Sequence, residues 1–73
     1  MVDFRSTMAS PLDNREIIIE FHPVGNIVRV SAMDTQSLTE ISIQGPANTP
    51  QEMLKRNAVK RLEYVMKKKG LIS

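Results

Sequence analysis

Seventy-three residues and 8.2 kDa are enough for one small domain. There is no cysteine, so neither a disulfide nor a thiolate metal site supports the fold, and a reducing, cytoplasmic setting is expected. No stretch approaches the roughly 18 apolar residues of a membrane span. The net charge of +2 hides a split. Residues 1–49 hold three arginines against six acids, a net of −3, while residues 50–73 hold seven basic residues against two acids, a net of +5.

Residues 1–14, MVDFRSTMASPLDN, show no period and lack the basic start and apolar run of a signal peptide. Ser10, Pro11, Asp13 and Asn14 are turn formers. The segment reads as a disordered N-terminal tail, leaving one domain over residues 15–73.

Residues 15–22, REIIIEFH, alternate as a strand, with Ile17, Ile19 and Phe21 on one face. His22 to Asn26 read as a turn. Residues 27–32, IVRVSA, make a second strand with Val28, Val30 and Ala32 on one face. Directly opposed residues share a face. A common core for both strands therefore requires paired numbers with an odd sum and a loop of even length, such as the four residues Pro23 to Asn26. Residues 33–37 read as a polar turn. Residues 38–44, LTEISIQ, make a third strand with Thr39, Ile41 and Ile43 inward.

Residues 48–70 carry the strongest pattern. Thr49 is the expected N-cap, Pro50 the first helical residue and Glu52 the partner of Thr49 in a capping box. Lys67, Lys68 and Lys69 suit the negative end of the helix dipole, and Gly70 can take the left-handed turn that closes it. Leu54, Ala58, Leu62, Val65 and Met66 fall on one stripe. Glu52–Arg56 and Glu63–Lys67 are spaced as ion pairs.

The expected fold is therefore α+β: a three-stranded antiparallel β-meander with one C-terminal α-helix packed on one face, β-β-β-α. Only about 57 residues are available for a core, near the lower limit for folding alone, so support from a second copy is expected. One sheet face is left open, with Ile18, Ile27 and Leu38 as its large apolar residues. The first strand has an edge, IIIEF, without proline or lysine to block pairing. Self-association as a homodimer through that face or edge is the leading expectation, and Ile18, Ile27 and Leu38 are the candidate interface. The alternative is nucleic-acid binding through the basic helix face, by Arg56, Lys60, Tyr64 and Lys67.

Enzymatic activity is not expected. His22 is the single histidine, and Glu20 shares its strand face, but a metal site needs three or four converging ligands. No nucleophile-elbow spacing occurs. Gly25, Gly45 and Gly70 are isolated, so there is no phosphate-cradling loop and no cofactor is implied.

Two resemblances bear on function. The β-β-β-α order with a basic helix is similar to the later part of a double-stranded-RNA-binding domain, and Lys55-Arg56-Asn57-Ala58 echoes that family's lysine-lysine-x-alanine motif. The resemblance implies RNA contact by the helix. This chain departs from the pattern in having no leading helix, in opening its own helix with Gln51-Glu52, and in placing Val59 where the family has lysine. The contact that such domains make from their first helix has no counterpart.

Residues 15–68, through REIIIEF, VGNIVRVSAMD, TEISIQGPAN and AVKRLEYVMKKKG, resemble a family of short bacterial proteins of unknown function. Some members of that family bear a serine hydroxymethyltransferase label. That reaction requires a large pyridoxal-phosphate fold with a Schiff-base lysine, which a chain this short cannot build, so the label is expected to be misapplied. The purified protein should show no pyridoxal-phosphate absorbance; a cofactor band that survives dialysis would overturn this.

Overall fold

Branched residues at alternate positions draw residues 16–24 and 27–34 into extended chain, and a loop of only two residues joins them. The structure, a computed structural model, describes residues 14–72 and the backbone of Val2–Arg5. Its elements are β1 (Val2–Arg5), β2 (Glu16–Val24), β3 (Ile27–Asp34), β4 (Glu40–Pro46) and α1 (Gln51–Lys68). The strands form one antiparallel sheet in the order β1-β2-β3-β4.

The β2–β4 meander and the following helix match the expected β-β-β-α order. The parity requirement also holds, since Ile19 pairs with Ala32 and Phe21 with Val30. The loop is shorter than four residues. Val24 pairs with Ile27, leaving Gly25-Asn26, and Gly25 takes φ +61° while Asn26 does not turn positive. That is the pattern of a type II′ hairpin, whose twist suits the flanking strands.

Several boundaries differ from expectation: β2 runs on to Val24 and β4 to Pro46. Met33 and Asp34 continue β3 and do not begin a turn, because Ile18 and Ile17 pair with them. At the start of β4, Leu38 has φ +61° and stands 70% exposed outside the strand. At the N-terminus, Val2–Arg5 pairs with Ile19–Glu16 of β2, so this part of the expected tail is a strand. The remainder of that expectation, residues 1 and 6–13, lies outside the described residues.

The core is formed by Ile17, Ile19, Val30, Ala32, Leu54, Ala58, Leu62 and Met66, all buried, with Phe21, Val28, Ile41 and Ile43 packed against them. Its helical members are spaced four apart, so one stripe of α1 meets the sheet, chiefly over β3 and β4. Val65, expected in the inner set, is only half-buried, while Val59 and Ile72 pack on the core instead.

Both helix ends have identifiable chemistry. Pro50 occupies the cap with φ −58° and ψ 137°, and no side chain caps the first turn. The expected Thr49–Glu52 capping box is therefore absent. With ψ at 137°, Pro50 is itself outside the helical region and the helix begins at Gln51, so Thr49 falls one place too early to cap. Glu52 pairs with Lys55 at 3.2 Å, not with Arg56. At the C-terminus the Gly70 amide donates to the Lys67 carbonyl at 3.0 Å, and the Leu71 amide donates to that of Met66 at 2.9 Å. With Gly70 at φ +76°, these bonds form a Schellman motif.

Gly45 sets the approach of helix to sheet. A Cβ placed there would stand 2.7 Å from Leu54 Cδ2, which is buried. Gly45→Ala should therefore cost about 1–3 kcal/mol by overpacking. Combined with Leu54→Ala, which costs about 2–5 kcal/mol alone, the loss should be clearly less than the sum. Urea denaturation of the two single variants and the double variant checks this, and strict additivity would refute the contact.

Candidate functional site

The sheet face turned away from α1 follows from the same register. Its residues lie in cross-strand rows: Val24–Ile27–Pro46, then His22–Arg29–Gln44, then Glu20–Ser31–Ser42, then Ile18–Met33–Glu40. The apolar members sit at the two ends and the polar rows lie between. Ile18 and Ile27, both expected in one patch, are roughly 20 Å apart along the strands at about 3.4 Å per residue. Leu38 is not on this face, since it precedes β4. The structure does not bring the three candidate interface residues together. It gives each end its own apolar pair, Val24 with Ile27 and Ile18 with Met33.

Between these ends lies a shallow depression of about 300 Å³, lined by Arg29, Ser31, Glu40, Ile41 and Ser42. Ser31 is buried, whereas Val24 is 62% exposed. His22 Nε2 lies 3.3 Å from Glu20 Oε1. Among the described residues no group of three His, Cys, Asp or Glu side chains gathers in metal-binding fashion.

The free edge of β2 is shorter than the sequence suggests. β1 covers Glu16–Ile19, and Pro23 falls within the uncovered remainder, where it supplies no amide for pairing.

The outer face of α1 carries the other candidate set. Arg56, Lys60, Tyr64 and Lys67 are all exposed, as are Arg61, Lys68 and Lys69. The Tyr64 ring is half exposed and is flanked by the Arg61 guanidinium at 5.5 Å and the Lys68 ammonium at 5.8 Å from its centroid. Lys67 also meets Glu63 at 3.7 Å, the pair expected from spacing. No helix among the described residues is long and apolar enough to cross a membrane.

The sequence model of a family described as "Domain of unknown function (DUF6898)" matches residues 14–69. The chain belongs to this family. The DUF6898 match takes in β2, β3, β4 and α1 and leaves β1 outside it. Neither the curated proteins nor the solved structures give a match to this chain.

The DUF6898 span also contains a buried polar junction that sequence reading missed. Asp34 lies on the core side of β3, fully buried. Its Oδ2 accepts from Arg15 Nη1 at 2.8 Å, from the Ser37 amide at 2.9 Å and from the Ser37 hydroxyl at 2.7 Å. Arg15 Nη2 also donates to the Leu71 carbonyl at 3.2 Å, so one guanidinium links the start of β2, the end of β3 and the end of α1. Thr39 is buried beside Ser37, with their hydroxyls 2.8 Å apart. Asp34 Oδ1 has no hydrogen-bond partner among the described residues. The available signal was Asp34 followed three places later by Ser37, a spacing at which a carboxylate accepts from the turn it opens.

Burial alone pushes the Asp34 carboxyl up. The Ser37 hydroxyl and amide, and then the Arg15 guanidinium, outweigh burial and hold it below its ordinary value. A depressed folded-state value means that this stabilisation is complete above the unfolded carboxylate range and is lost as pH falls through the folded value. Thermal melts should therefore show stability dropping below that range, with a shallower drop in Asp34→Asn. Arg15→Met, which leaves the buried carboxylate without its cation, should cost about 3–5 kcal/mol at neutral pH. An Arg15→Met melt identical to that of the parent would show that the junction contributes nothing.

Proposed function

We propose that this DUF6898 domain is a non-enzymatic domain that acts through protein contact, and that a second copy of the chain binds at the uncovered face of its sheet. The supporting observation is the one-sided architecture. α1 covers one face of the sheet, and the other presents Val24 and Ile27 to solvent at 62% and 36% exposure. Contact through this face is favoured over strand addition at β2, because β1 and Pro23 occupy that edge. The face measures roughly 500 Å² per copy from ordinary strand spacings, which puts association at the weak end of specific interfaces.

A second reading rests on Tyr64. An exposed ring near Arg61 and Lys68, beside Arg56, Lys60 and Lys67, is the kind of surface that stacks on a base while cations track phosphates. Salt separates the two readings, since phosphate contact weakens steeply with ionic strength and an apolar sheet contact does not. Sedimentation velocity across the micromolar to millimolar range should show monomer passing to dimer, weakened by salt far less steeply than a phosphate contact would be. A single 8.2 kDa species throughout would refute the first reading. Salt-sensitive binding of single-stranded RNA, lost in Tyr64→Ala and Lys60→Glu, would establish the second in its place.

A further inference from the structure

The rows of the open face are complementary to their own reversal, and we infer that two copies stack face to face with strands antiparallel, the first row of one copy over the fourth row of the other. This inference rests on the self-association just proposed and specifies its geometry. A twofold axis lying in the face and running across the strands, between the Arg29 and Ser31 rows, keeps each strand over its counterpart and reverses the row order. Val24 then meets the second copy's Ile18, and Ile27 meets the second copy's Met33, so each apolar pair is covered by the other. The basic row His22–Arg29–Gln44 lies over the second copy's Glu20–Ser31–Ser42.

The depression gives this stacking a specific centre. Ser31 and Ser42 are small, so the face dips there, and Glu40 stands at the rim. In the reversed stack the second copy's Arg29 lies over Ser31, where its guanidinium can enter the depression and approach Glu40 and Glu20. The twofold axis makes the same contact twice. The other simple stack, with the axis along the strands, sets Arg29 over the second copy's Arg29 and covers Ile18 with Glu40. That arrangement opposes like charges, which disfavours it.

The chain has no native cysteine, so single replacements report the register cleanly. Stacked sheets lie about 10 Å apart, which suits a short bismaleimide better than a direct disulfide. Ile27→Cys and Met33→Cys proteins, each isotopically distinct, are mixed and crosslinked at a concentration where the parent is dimeric. The inference predicts that mixed products, joining one Ile27→Cys chain to one Met33→Cys chain, exceed like-with-like products at least several-fold. It also predicts that adding Arg29→Glu abolishes both crosslinking and dimerisation. Like-with-like products in excess, or a dimer that gives no crosslink, would overturn this geometry while self-association stands. A parent that remains monomeric would overturn both. Circular dichroism and melting of each variant separate loss of contact from loss of fold.

Discussion

The two-residue loop at Gly25-Asn26 is the constraint on which the sheet depends. Because it is even in length, residues of opposite parity on β2 and β3 face the same side, and all of Ile17, Ile19, Val30 and Ala32 reach the core together. One residue more or less would send one strand's branched side chains to the solvent face. The same register carries Asp34 to the core side, within reach of Arg15. A single hairpin thus decides the apolar layer, the position of the buried ion pair and the row order on the open face.

What could be read from the sequence was what strict periodicity writes. Ile17, Ile19 and Phe21, then Val28, Val30 and Ala32, are placed by period two, and Leu54, Ala58, Leu62 and Met66 by the helical repeat. Features that depend on distant partners were not legible. Asp34 looks like a turn residue because nothing nearby reveals that Arg15 will reach it from 19 places earlier. Val2–Arg5 has too short a pattern to declare itself a strand, and it becomes one by pairing with β2. Whether Val59 or Val65 lies against the core depends on where the helix rests over β3 and β4, which no local spacing states. The expected interface trio assumed that residues on one face are neighbours, yet the same strand length that exposes Ile18 and Ile27 holds them apart.

Among the described residues, polar groups are spread over the outside of α1, the open sheet face and the junction at Asp34. Cations line the outside of α1, where Lys67 also meets Glu63 and Lys55 meets Glu52. The open sheet face mixes both signs in ordered rows. The buried charged pair is committed to architecture, with Arg15 and Ser37 saturating one carboxylate oxygen of Asp34. Membership in DUF6898 assigns no activity to either surface.

The hydrogen bond from Arg15 to the Leu71 carbonyl has a consequence for how the unit can be carried. It sets the beginning and the end of the β2-to-α1 module within the reach of one arginine side chain. A module closed on itself in this way can sit inside a loop of a larger host, or be re-cut at another turn with its old ends joined, without prising the recipient backbone apart.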